Sequence, residues 1–128
     1  MKAIYKNYFR KKGDNDPILT LLKSIPMFEN LLDKELSEVV RLTHERNYKI
    51  GEYIFKKLAP AEGMYVILDG LVDIIDPDTN TNFASLETGD FFGELALLDD
   101  EPRSASATAM QPSRLIGFFR TDLLTLMK

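Results

Sequence analysis

From residue 48 to residue 119 the chain is built of short apolar runs, each cut off by turn residues before it can complete the turns a helix needs. Lys49-Ile50, Tyr53-Ile54-Phe55, 64–68, 71–75, 83–86, 104–110 and 115–119 carry the β-branched and aromatic side chains that suit strands, and Gly51, Gly63, Gly70 and Gly89 punctuate them. A parallel sheet needs a crossover of about a dozen residues between strands, so this close spacing favours antiparallel pairing. The spacing suggests an antiparallel sandwich or jelly-roll barrel, and the expected fold is mainly β with helical ends, an antiparallel jelly-roll β-barrel of the double-stranded β-helix kind. The polar stretch Asp76-Pro77-Asp78-Thr79-Asn80-Thr81-Asn82 is expected to be a hairpin loop.

Helical patterns lie on either side. Residues 18–25 form a short apolar helix or turn that Pro26 ends. A clearer helix starts with Asp33 as N-cap, placing Leu36, Val39, Val40 and Thr43 on one side and Lys34, Glu35, Glu38, Arg41 and Glu45 on the other. A last helix is predicted from Thr121, with Leu123, Leu124 and Met127 apolar. With 128 residues, 45% of them hydrophobic, the chain suits one compact domain. The expected organisation is a basic N-terminal extension over 1–16 and a domain over 17–128. The latter divides into a helical lead-in (17–46), the barrel (47–119) and the start of a C-terminal helix (120–128). The extension holds Lys2, Lys6, Arg10, Lys11 and Lys12 beside Ile4, Tyr5, Tyr8 and Phe9, and no function is assigned to it.

Charge and composition exclude several roles. A net charge of −4 argues against direct nucleic-acid binding, which draws on a basic excess. No run approaches the roughly 18 apolar residues of a membrane span, so no transmembrane segment is expected. The absence of cysteine rules out disulfides and thiolate zinc sites and fits a reducing compartment, with the cytoplasm as the expected location. His44 is the one histidine and is expected on a helix surface. A metal cluster or a histidine-based triad would have to be built on it alone, so no catalytic residue, no metal site and no enzymatic activity are expected. Residues 76–82 with Glu87 reproduce the oxygen spacing of a calcium loop, but the sixth position is Thr81 where that turn wants glycine, and the flanks read as strands.

The run Gly89-Asp90-Phe91-Phe92-Gly93-Glu94-Leu95-Ala96-Leu97-Leu98, followed by Pro102-Arg103-Ser104-Ala105, concentrates the chemistry. Gly93 lets backbone approach a ligand, and the helical turn or two after it presents amides that favour an anion. The planar fork of Arg103 matches two phosphate oxygens, with the Ser104 hydroxyl and the Ser104 and Ala105 amides as further donors. Glu94 would repel a phosphate and, accepting hydrogen bonds only, suits a hydroxyl donor such as a ribose 2′-OH. A ribose joined to a phosphate in one compact ligand satisfies both residues. Asp99, Asp100 and Glu101 are expected to point away from it.

Phe92-Gly93-Glu94-Leu95-Ala96-Leu97-Leu98 with Pro102-Arg103-Ser104-Ala105 resembles the phosphate-binding cassette of the cyclic-nucleotide-binding domain family, which includes catabolite activators, kinase regulatory subunits and gated channels. The resemblance extends to Leu22-Lys23-Ser24-Ile25-Pro26-Met27-Phe28, Gly51-Glu52-Tyr53-Ile54-Phe55 and Gly63-Met64-Tyr65-Val66-Ile67-Leu68-Asp69-Gly70. It implies that Glu94 takes the ribose 2′-OH, Arg103 the cyclic phosphate, and the amides of Gly93, Leu95 and Ala105 the ring. Ile74, Phe83, Ala84 and Leu86 would then line the wall near the base, although each equally suits the core. The implied ligand is cAMP or cGMP, with cAMP preferred although Ser104 does not separate them, and no further cofactor is implied. The implied role is a regulatory sensor that transmits binding as a conformational change through repacking at Leu95, Leu98, Leu123 and Leu124, toward an effector the sequence does not name. Homodimerisation is compatible with it. The alternative is a nucleotide-free structural or interaction barrel, with calcium in the hairpin loop as its variant.

Overall fold

The computed structural model describes residues 17–97 and 101–126, with Pro17, Met27, Glu94 and Leu95 followed through the backbone alone. The extension 1–16, Leu98, Asp99, Asp100 and Met127 lie outside the described residues. In chain order the elements are α1 (Pro17–Lys23), a 3₁₀ turn (Pro26–Phe28), α2 (Asp33–Arg41), β1 (His44–Tyr48), β2 (Tyr53–Phe55), β3 (Gly63–Asp69), β4 (Leu71–Asp76), β5 (Thr81–Glu87), β6 (Phe91–Phe92), a second 3₁₀ turn (Glu94–Leu97), β7 (Ser106–Ala109), β8 (Ser113–Phe119) and α3 (Arg120–Leu126).

The strands form two four-stranded antiparallel sheets, ordered β1-β8-β3-β6 and β2-β7-β4-β5. The jelly-roll expectation holds, but the closed barrel is corrected to a sandwich. Closure fails for want of length: β6 has two residues and β2 three, too few for a ladder joining one sheet to the other.

The apolar run 64–68 lies in β3, where side chains alternate between two buried environments. Tyr65 and Ile67 point between the sheets, where they meet Val72, Phe92, Ala107 and Leu115. Met64, Val66 and Leu68 point the other way, into a cluster that Leu22, Ile25, Phe28, Leu36 and Val39 cover from the helical lead-in. Being buried on both faces is what removes the polar alternation from this strand. The fully buried side chains here each contribute roughly 1.5–3 kcal/mol relative to exposure.

Several boundaries differ from expectation: Lys49 and Ile50 lie outside the strands, Asp76, Thr81 and Asn82 belong to β4 and β5 and not to the hairpin loop, and β7 is shorter than the expected 104–110. The second helix stops at Arg41 instead of running past Glu45, and His44–Tyr48 is an edge strand paired with β8 from His44↔Gly117 to Tyr48↔Ser113. Its sequence, HERNY, is exposed over its first four residues, so no apolar pattern marks it. His44 consequently sits on a strand, with Nε2 3.2 Å from Asp122 Oδ2 of α3. Asp33 occupies the first position of α2 while Leu32 is its cap, its N–H bonded to Glu35 Oε1 at 2.8 Å. The last helix begins at Arg120, one residue before Thr121, because the Arg120 N–H extends the sheet by bonding the Glu62 carbonyl at 2.8 Å.

Candidate functional site

A pocket of about 330 Å³ opens where the second 3₁₀ turn and the segment before β7 face the two sheets. Gly93, Arg103, Ser104, Ala105 and Ile74, all singled out in the sequence, line it together. Phe55, Ala61, Phe92, Ala96 and Pro102 complete the wall, and Glu101, expected to point away, reaches its lining. Phe83 does not: a register shift between Ile74↔Ala84 and Ile75↔Asn82 leaves it without a cross-strand partner, and it is 60% exposed. Ala84 and Leu86 are not in the lining either, and Leu86 packs on the inter-sheet core. The backbone of Glu94 and Leu95 forms the start of the single 3₁₀ turn that follows Gly93.

Arg103 is fixed at both ends. Its backbone is clasped by the turn after β2: its N–H donates to the Ala59 carbonyl at 2.9 Å, and its carbonyl accepts from the Leu58 N–H at 2.8 Å. Its guanidinium lies over the Phe55 ring, 4.0 Å from the centroid, and Nη2 donates to the Gly63 carbonyl. Phe55 in turn packs on Phe92 and Tyr65, with ring centroids at 5.9 and 6.3 Å, so the cation rests on an aromatic platform. Only 8% of Arg103 is exposed, Nε is buried without a partner, and among the described residues no carboxylate forms an ion pair with the side chain. Burial lowers its pKa, against the raising influence of Tyr65 and Glu62. A guanidinium stays protonated nonetheless, so the site holds a desolvated positive charge with a donor to spare.

Gly93 faces that charge. Its φ is +78°, and a Cβ there would come within 2.7 Å of Arg103 Nη1. Glycine is required twice over, by the left-handed backbone and by the closeness of the guanidinium. Phe55 and Ala61 were the lining residues to which the sequence assigned no part in this site, since a β-strand aromatic such as Phe55 looks alike whether it fills a core or carries a cation.

The hairpin acids have another partner. Lys57 Nζ donates to Asp76 Oδ1 at 3.0 Å and Asp78 Oδ2 at 2.7 Å, placing an ammonium group where the calcium variant would put its ion. Among the described residues no group of three or more His, Cys, Asp or Glu is placed to hold a metal, and no helix is long and apolar enough to cross a membrane.

The fold is thus an antiparallel jelly-roll sandwich that carries on one pocket a glycine turn and a buried arginine with no carboxylate partner among the described residues. The chain belongs to the cyclic nucleotide-binding domain family, whose model matches residues 45–128. Its relatives include a cyclic nucleotide-gated potassium channel of Rhizobium etli, 32% identical over 102 residues that cover 80% of this chain and 28% of the channel. Another is the cyclic AMP receptor protein of Thermus thermophilus, 31% identical over 110 residues covering 84% of this chain and 51% of the receptor. The chain thus spans between about a quarter and a half of these relatives' length. In fold it matches a cyclic nucleotide-binding-like protein from Brucella abortus with a TM-score of 0.79 at 19% identity, covering 88% of this chain and 98% of that one.

Proposed function

We propose that the domain over 17–128 is a cytoplasmic regulatory sensor that captures a cyclic nucleotide monophosphate, cAMP in preference to cGMP, in the pocket between Gly93 and Arg103. The observation that carries this reading is the buried Arg103 side chain with its unpartnered Nε beside Gly93. A phosphodiester brings the negative charge that this cation lacks among the described residues, and charge-assisted hydrogen bonds are about twice as strong as neutral ones. We assign the cyclic phosphate to Arg103 with the amides of Gly93, Leu95 and Ala105 and the Ser104 hydroxyl, and the ribose 2′-hydroxyl to Glu94. Ile74 is left as the base-side wall residue. The preference for cAMP draws on the relative named a cyclic AMP receptor protein.

A short route to the C-terminal helix supports a signalling role. The carbonyl that receives Arg103 Nη2 belongs to Gly63, and the neighbouring Glu62 carbonyl receives the first N–H of α3. Leu123 and Leu126 of α3 pack on the core cluster that contains Leu97 of the cassette turn, whereas Leu124 is 46% exposed. A phosphate that draws on Arg103 and the cassette would therefore bias the seating of α3 through Leu97, Leu123 and Leu126.

Calorimetry with cAMP, cGMP and 2′-deoxy-cAMP tests the proposal. We expect saturable binding of cAMP, weaker binding of cGMP, and a loss for the deoxy compound that Glu94→Ala makes disappear. No heat with either cyclic nucleotide at millimolar concentration, on protein shown to be folded, would refute it and favour a nucleotide-free barrel. Gly93→Ala should cost about 1 kcal/mol of stability from its positive φ and weaken nucleotide binding roughly tenfold as Arg103 is displaced. Thermal melts and titration on the same sample check both.

A further inference from the structure

Lys57 does not line the pocket, yet it joins three of the segments that do. Its backbone N–H donates to Ser106 Oγ at 2.9 Å, just beyond the pocket residues Arg103, Ser104 and Ala105. Its ammonium holds Asp76 and Asp78 of the β4–β5 hairpin, two residues on from the wall residue Ile74. The two residues after it, Leu58 and Ala59, are those that clasp the Arg103 backbone from both sides. Leu58 does so at a φ of +72°, a conformation a leucine avoids, so the turn needs outside restraint to keep this shape.

The Lys57 side chain is 24% exposed and Asp76 18%, so this contact is sheltered compared with ordinary surface pairs, and one cation serves two carboxylates. The hydrogen bonds to Asp78 and then Asp76 raise the lysine pKa, and the bond from Lys57 lowers that of Asp76, so Lys57 and Asp76 both stay ionised near neutral pH.

We propose that Lys57 is a positioning residue for the nucleotide site: its clasp on Asp76 and Asp78 pins the strained turn whose backbone holds Arg103 under the phosphate. The inference rests on the function proposed above. It acts through Arg103 and involves no contact with the ligand.

The test compares Lys57→Met, Lys57→Arg and the double variant Asp76→Asn/Asp78→Asn, using calorimetry with cAMP and amide hydrogen exchange at Leu58 and Arg103 in the ligand-free protein. Lys57→Met should bind cAMP roughly tenfold more weakly and exchange both amides faster, and Lys57→Arg should restore both. The double variant decides between positioning and simple charge. Removing two acids near an anion site would tighten binding if Lys57 acted only as a distant positive charge, whereas loss of the clasp weakens it and speeds exchange. Tighter binding by the double variant, or unchanged exchange in Lys57→Met, would overturn the proposal. Failure of the wild-type protein to bind any cyclic nucleotide would instead overturn the proposed function, while the exchange rates still report whether Lys57 holds the turn.

Discussion

Arg103→Met is expected to abolish cyclic-nucleotide binding, by roughly 100-fold or more, while leaving the ligand-free domain as stable as before or more so. The two effects have opposite sign because the cation does different things in the two states. Without ligand it is buried against Phe55 with Nε unsatisfied, a cost that an apolar side chain on the same aromatic platform removes and that outweighs the donor lost to the Gly63 carbonyl. With ligand it is the charge that meets the phosphate, and truncating one partner of a buried charge pair costs about 2–5 kcal/mol or more. Titration with cAMP and a thermal melt of the same variant measure the two halves. A variant that melts far below the parent yet binds normally would show that Arg103 is a structural residue and not a ligand anchor.

The second large effect is on folding. Gly63→Ala should destabilise the domain by about 3 kcal/mol or more, enough to unfold a large fraction of a marginally stable protein. The reason is local and unforgiving. A Cβ on Gly63 would fall 1.8 Å from the Phe118 carbonyl oxygen and within 3 Å of two further backbone atoms of Phe118 and Phe119, none of which can rotate away. Relief requires parting β3 from β8 beside the carbonyls that receive Arg103 and α3, so stability and binding should fall together. Gly51→Ala is the control: its φ of +87° carries a strain penalty, but no atom lies within 4 Å, and only about 1 kcal/mol should be lost. Urea denaturation of both variants separates steric exclusion from backbone preference.

What the sequence revealed of this molecule depended on whether a residue's chemistry was unusual for its setting. The run 64–68 announced a strand because it is apolar throughout, and Gly93, Arg103, Ser104 and Ala105 announced a site because donors converge where a core would need none. β1 was hidden because an edge strand facing solvent has no apolar face to display, so His44, Glu45 and Arg46 read as the end of the helical lead-in. Phe55 was hidden for the opposite reason, as its partner Arg103 approaches only once β2 and the segment before β7 are brought together. The choice between sandwich and barrel was not legible either, because it follows from how short β2 and β6 are. The face of Phe83 was set by a register shift, a detail of pairing that composition does not carry.

Among the described residues the open sandwich leaves four strands with an unpaired side, each a template on which another chain could extend the sheet. Here β2 and β6 are too short to guide a foreign strand, β1 presents opposite charges at Glu45 and Arg46, and the bulge at Phe83 breaks the hydrogen-bond rhythm of β5. The shortness of β2 and β6 that keeps the sandwich open thereby also guards two of its rims against aggregation.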